Sequence, residues 1–144
     1  MSLEKLLEEG VIEAIEPTRE LVENALSAAE KDLATARTVL ETDNFDWTLA
    51  IAYNAMLQAG RALVFSEGYR ATGVEAHKTV VRFCAEKLVR ESGFLVKLFD
   101  KMRVRRHRVI YEERGTVSKS EAEDAVRKAE EFVGVVKEKL KARL

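Results

Sequence analysis

Five cationic side chains and one histidine fall within eight residues at Lys101-Met102-Arg103-Val104-Arg105-Arg106-His107-Arg108. Guanidinium forks match the oxygens of a phosphate, and an imidazole or a phenol beside them can move a proton. On a helix advancing about 100° per residue, Leu95, Phe99, Met102, Val109 and Ile110 make one inward stripe, and Arg106 falls in its middle. A guanidinium buried there without a partner is costly, so it must meet a carboxylate, an interface or a cavity that admits an anion. Arg103, His107 and Tyr111 align along the adjoining edge, with His107 and Tyr111 one turn apart, whereas Arg105 and Arg108 point away as solvated charge. Two readings stay open on spacing alone: a solvated basic face with one snorkelling or ion-paired arginine, or a phosphate site.

A second constellation lies in the apolar stretch between Asp46 and Glu67, where Arg61 is the only charged residue. Such a stretch is apolar around most of its circumference and belongs at the centre of a helical bundle. Asn54, Gln58 and Arg61 at i, i+4 and i+7 form one polar stripe with Tyr53 beside it, as an interhelical hydrogen-bond network or a seam between copies of the chain would. The Asn, Gln, Gly60 and Arg in mid-helix argue against a membrane span. His77, His107 and Cys84 lack a close-spaced ligand pair, so no metal site is expected, and glycine-rich phosphate loops, nucleophile elbows and paired-carboxylate signatures are missing. Cys84, among Val80, Val81 and Phe83, reads as a small core residue rather than a nucleophile.

The elements that must position these groups read as helices. Apolar residues recur at helical spacing almost throughout, and alternating runs bounded by turn signals are missing, which predicts an all-α fold. A short helix is expected over Leu3, Leu6, Leu7 and Val11. Pro17 and Glu20 restart the chain as a longer helix with the stripe Leu21, Ala25, Ala28, Leu33, Ala36, Leu40. Asp43-Asn44-Phe45-Asp46 ends it and caps a third helix from about Trp47 to Glu67, closed by Gly68. Thr72-Gly73-Val74-Glu75 has the form of a capping box opening a fourth, Ser92-Gly93 punctuates that one, and a fifth runs from Phe94 to about Glu113. Gly115 breaks the chain before Ser118-Lys119-Ser120-Glu121, a second capping box for a last helix reaching toward Leu144. Short connections between long helices predict an antiparallel up-and-down bundle of four to five main helices plus a short N-terminal helix, in a single domain over residues 1–144.

A chain with 47% hydrophobic and 34% charged residues can bury a core at this length without a covalent staple. One cysteine permits no internal disulfide, and Met1-Ser2-Leu3-Glu4-Lys5 has neither the basic region nor the apolar core of an export signal, so a reducing cytoplasm is the expected compartment. The net charge of −1 excludes histone-like basicity but hides an uneven distribution: residues 1–46 carry four Lys/Arg against twelve Asp/Glu, and residues 94–114 carry seven against three. A dipolar molecule of this kind can orient a polyanion or a second copy of itself.

The stretch Ala52-Tyr53-Asn54-Ala55-Met56-Leu57-Gln58-Ala59-Gly60-Arg61-Ala62-Leu63, with Gly68-Tyr69-Arg70 and Ala76-His77-Lys78, resembles the central-helix pattern of small single-domain members of the HEPN superfamily. Arg105-Arg106-His107-Arg108-Val109-Ile110-Tyr111-Glu112, Val117-Ser118 and the Ala122/Ala125/Ala129 helix resemble their closing half, and the likeness spans about residues 20 to 140. The resemblance implies an antiparallel bundle that commonly dimerises, setting two copies of an Arg-(polar)-x-x-x-His motif across a cleft. Members with that motif act as metal-independent ribonucleases, often as toxins paired with a small nucleotidyltransferase antitoxin. Arg106 matches the arginine and His107 the polar second position. Tyr111 stands where the histidine would be, and a phenol with a pKa of about 10 is a poorer base at neutral pH than imidazole.

What the resemblance implies is a homodimer that binds RNA or nucleotide phosphate without a cofactor. Arg106, His107 and Tyr111 are its candidate catalytic residues; Arg103, Tyr53, Asn54, Gln58, Arg61 and His77 are its candidate ligand contacts. The alternative is a non-catalytic module whose dimer face docks a minimal nucleotidyltransferase, and a third reading is a structural dimer without a ligand.

Overall fold

The computed structural model describes residues 3–141, apart from the side chains of Val89, Glu91 and Ser92. Its elements follow in the order α1 (Leu3–Glu8), β1 (Ile12–Ala14), α2 (Arg19–Glu41), α3 (Phe45–Ser66), β2 (Tyr69–Ala71), α4 (Ala76–Lys87), α5 (Val89–Tyr111) and α6 (Lys119–Lys141). The fold is an all-α bundle with one minimal sheet. The end of the expected last helix, residues 142–144, lies outside the described residues, as do Met1 and Ser2 of the segment read for an export signal.

Helix α3 runs through the middle. Its buried residues, among them Leu49, Ala52, Ala55, Leu57 and Leu63, cover more than half of its circumference, as its nearly uncharged sequence requires. The pairings around it set helix directions. Asn54 meets Asp32 across the short α2–α3 connection, while Arg37 pairs with Glu130 and Lys137 with Glu30. Tyr53 lies against Arg106 and Gly60 against Phe99. Each pairing climbs one helix as it descends the other, so α2, α3, α5 and α6 alternate in direction.

Helix α4 departs from the up-and-down pattern. His77 contacts Tyr53, Val80 and Cys84 approach Gly60, and Lys87 pairs with Glu67 just past the end of α3, so α4 runs alongside α3 in the same direction. The chain must therefore travel back along α3 first. It does so as β2, which pairs antiparallel with β1 in the register Ile12↔Ala71, Glu13↔Arg70 and Ala14↔Tyr69. Three-residue strands are too short to display an alternation, so the sequence pattern passed over them.

Local signals were overridden where tertiary partners competed. Thr72 does not cap α4: its hydroxyl donates to the Gly10 carbonyl because strand pairing brings it there, and α4 starts at Ala76 without a side-chain cap. The break between α4 and α5 falls at Leu88, which is fully buried, and Ser92-Gly93 lies inside α5. Ser118 does cap α6, accepting from the Glu121 amide at 3.1 Å, but the Glu121 carboxylate turns to Arg105 rather than completing a reciprocal box. On α2 the Thr18 hydroxyl accepts from the Leu21 amide, and the inward positions are Val22 and Ala29 with Ala25, Leu33 and Ala36, one residue round from the expected Leu21 and Ala28.

Candidate functional site

Helix α5 carries its basic run as the spacing requires: Leu95, Phe99, Met102 and Val109 are buried, Ile110 is half-buried, and Arg106 emerges between them. Two adjacent arginines then meet opposite fates. Arg105, expected to point into solvent, instead forks across the α5–α6 turn. Its Nε and Nη2 donate to Glu121 at 2.8 and 3.0 Å, Nη1 donates to Glu113 at 2.9 Å, and Nη2 also reaches the Thr116 carbonyl. The correction has a simple cause: the turn after Gly115 folds α6 back so that its first acid faces α5, and the bond to Glu121 makes Arg105 harder still to deprotonate. Arg106 has no carboxylate partner among the described residues. Its guanidinium sits over the Tyr53 ring, 5.9 Å from the centroid.

Tyr53 is 1% exposed, yet its hydroxyl reaches the half-open side of the bundle, where it shares a 3.1 Å hydrogen bond with Nδ1 of His77 from α4. The two rings also touch, with centroids 5.8 Å apart. Burial pushes the phenol up to about 12, an effect that Arg106 and Arg103 partly oppose. Loss of solvation also holds His77 below its ordinary value, and the positive charges of Arg106, Arg61 and Arg103 push it further the same way. Three guanidinium groups from two helices thus act on one neutral imidazole. Of the three, Arg103 is tied to Asp100 at 3.0 Å, and Arg61 reaches Gln58 at 3.3 Å while lying over Phe65.

The residues singled out from the sequence separate into groups. Arg103, Arg106, Tyr53, His77 and Arg61 converge from α3, α4 and α5. His107 and Tyr111 stack on the outer edge of α5, centroids 4.8 Å apart, and both are exposed. Asn54 faces the other way, where its amide donates to Asp32 of α2 at 2.8 Å, the interhelical role that its position on the polar stripe allowed. Cys84 is fully buried against Gly60 and its thiol is pushed up by burial, as expected of a core residue.

Beside this cationic edge, between α3, β2 and the start of α4, lies a cavity of about 670 Å³. Leu57, Val64 and Val80 contribute apolar walls, and Arg61, His77 and Arg70, the last paired with Glu13, contribute polar ones. No sequence signal marked this cavity, because the strand that roofs it has no pattern of its own. Among the described residues, no group of His, Cys, Asp and Glu side chains is placed to hold a metal ion, and no helix is long and apolar enough to cross a membrane.

The arrangement can bind an anion: Arg106, which pairs with no carboxylate among the described residues, lies beside the Tyr53–His77 pair, and the charges of Arg61 and Arg103 act on His77. The sequence profile of the HEPN domain matches residues 22–139 of the chain, which includes every residue of this cluster. No curated protein matches the sequence.

Proposed function

Because the chain belongs to the HEPN domain family, a family associated with nucleotide- and RNA-related functions, we propose that it binds the phosphate of RNA or of a nucleotide on the edge formed by Arg106, Arg103, Arg61, His77 and Tyr53. One observation carries this reading: Arg106 projects from an apolar stripe onto a buried tyrosine and pairs with no acid among the described residues. A guanidinium is retained in such a place at a desolvation cost that an incoming phosphate offsets through charge-assisted hydrogen bonds.

Arg106, together with His107 and Tyr111 on the outer edge of α5, can serve strand cleavage within the proposed activity. A ribose 2′-oxygen attacks the adjacent phosphorus and the bond to the 5′-oxygen breaks. Arg106 offsets the charge that develops on the phosphoryl oxygens, while His107 and Tyr111 take the proton from the 2′-hydroxyl and return one to the leaving oxygen. In the family-based arrangement a second copy of the chain supplies a second set of these residues, and the cellular role is that of the toxin-like member of a pair.

Fluorescence anisotropy with a labelled single-stranded RNA, together with gel analysis of its cleavage, tests the proposal. Arg106→Ala is expected to weaken binding at least tenfold while leaving the thermal unfolding midpoint within a few degrees of the parent. Equal binding by both proteins removes the reading. A second reading, a docking module for a minimal nucleotidyltransferase, draws on the exposure of Tyr111, 68% of which faces solvent. It predicts that Tyr111→Ala abolishes co-purification with such a partner without changing RNA affinity.

A further inference from the structure

His77 is the second residue of α4, and among the described residues no side chain caps that end of the helix. An uncapped first turn has amides without helical partners and frays easily. What holds this one comes from the N-terminal arm, residues 3–16, which precedes the span that the HEPN profile matches. Three consecutive residues of the arm make the contacts. The Glu9 carboxylate accepts from both terminal nitrogens of Arg82 on α4, at 3.0 and 2.6 Å. The Gly10 carbonyl accepts from the Thr72 hydroxyl at 3.3 Å, and the Val11 carbonyl from the Thr72 amide at 2.9 Å. Thr72 stands five residues before His77 and Arg82 five residues after it, so the arm grips the chain on both sides of the imidazole.

The arm is shaped to deliver that grip. Leu6 is fully buried and anchors α1 to the core. Gly10, with a φ of +71°, turns the chain out of α1 in a left-handed conformation that glycine takes without strain, so that Glu9 reaches α4 while Val11 leads into the pairing with β2. Arg82 lies about 140° round α4 from His77. The helix is thus held on its outer side by the arm, while Val80 and Cys84 pack against Gly60 on the inner one. Its rotation and height set the 3.1 Å bond that the imidazole shares with Tyr53. We propose that Glu9-Gly10-Val11 is a clamp that seats α4, which makes Glu9 and Thr72 positioning residues for His77. The inference rests on the phosphate reading only for its effect on binding; the clamp itself is a property of the free chain.

Glu9→Gln combined with Thr72→Val removes the charged fork and the hydroxyl bond while keeping side-chain size. Proton NMR titration of the histidine rings in the full chain, without ligand, reads the result. His77 is held low chiefly by lost solvation, with Arg106 and Arg103 from α5 and Arg61 from α3 adding to it beside the Tyr53 hydroxyl. Water admitted at a loosened first turn should raise its titration midpoint by about half a pH unit or more, while the exposed His107 keeps its own. Loss of the Glu9 charge by itself pushes the other way, so the sign identifies the cause. Hydrogen exchange at the first hydrogen-bonded amides of α4, residues 79–82, should quicken about tenfold with the amides of α6 unchanged, as local opening requires. An unchanged His77 midpoint in the folded double variant overturns the clamp. Equal quickening in α4 and α6 also overturns it, by making the arm a support of the whole bundle. Thr72→Val alone gives the same comparison if the double variant does not fold. The outcomes keep the two proposals apart: RNA binding that survives Arg106→Ala defeats the phosphate reading and leaves the clamp standing, whereas RNA binding lost in Arg106→Ala with His77 unmoved in the double variant defeats the clamp alone.

Discussion

Neighbouring residues of one type serve opposite ends here, and the difference lies in what faces them. Arg105 meets two carboxylates and a carbonyl and fastens the α5–α6 turn; Arg106, about 100° further round the helix, meets a tyrosine face. Spacing alone identified Arg106 as the unusual one, because it interrupts an apolar stripe. Spacing could not show that Arg105 finds Glu121, since that contact depends on where the turn sends α6. His77 reports the resulting field: Tyr53 and Arg61 face it from α3, Arg103 and Arg106 from α5, and its proton affinity is lowered by burial and by those charges. A bound phosphate reverses the electrostatic part, so binding takes up a proton. Affinity for single-stranded RNA, whose phosphodiesters do not titrate in this range, should therefore rise as pH falls through and below the ordinary histidine range. The dependence should vanish in His77→Asn and persist in His107→Gln, as titration calorimetry at several pH values will show. Without an anion the same depression works against the fold in acid. The unfolded histidine takes its proton near its ordinary value, before the folded one does, so stability declines as pH falls below that value and added phosphate offsets the loss.

Between helices, the decisive feature is the close approach of α4 and α5 to the middle of α3. A β-carbon added at Gly60 would lie 2.7 Å from Val80 Cγ1, 3.2 Å from Cys84 Sγ and 3.4 Å from Phe99 Cε2. Gly60→Ala improves helix propensity by up to about 1 kcal/mol, but overpacking a buried contact costs roughly 1–3 kcal/mol. The net expectation is a loss of about 1 kcal/mol in urea unfolding, together with weaker mononucleotide binding because α4 carries His77. A gain in stability would show that the helices separate without strain. The same scale explains which elements the sequence disclosed. Helices of more than twenty residues announce themselves through many turns of periodic apolar residues. The strands Ile12–Ala14 and Tyr69–Ala71 hold three residues each and exist because each supplies the other's backbone partners. The side chains of Thr72 and Glu121, read as capping groups, went to longer-range partners that no local window contains.

For the molecule as a whole, charge is segregated. The first 46 residues carry twelve acids against four bases, and the basic segment lies on α5, where Arg106 meets α3 and Arg105 meets α6. The proposed ligand is a polyanion, and three arginines with His77 supply the contacts, so the logarithm of RNA affinity should fall with the logarithm of salt concentration at a slope of about −2. Arg106→Ala should reduce that slope by about 0.7, the share of one phosphate contact to a single strand. A slope near zero would place the binding elsewhere. By itself the sequence determined the helical class, the central position of α3, the order of the long helices with the approximate ends of α2 and α3, and Arg106 as the group that packing does not account for. These are consequences of periodicity and of burial cost, both of which act along one helix at a time. Only the tertiary structure decided that α4 runs parallel to α3, that Arg105 is neutralised while Arg106 is not, and that His77 stands between the arginines and a cavity. Those depend on which surfaces meet once the chain doubles back through a short strand, and the energy of such meetings is shared by residues far apart in the chain.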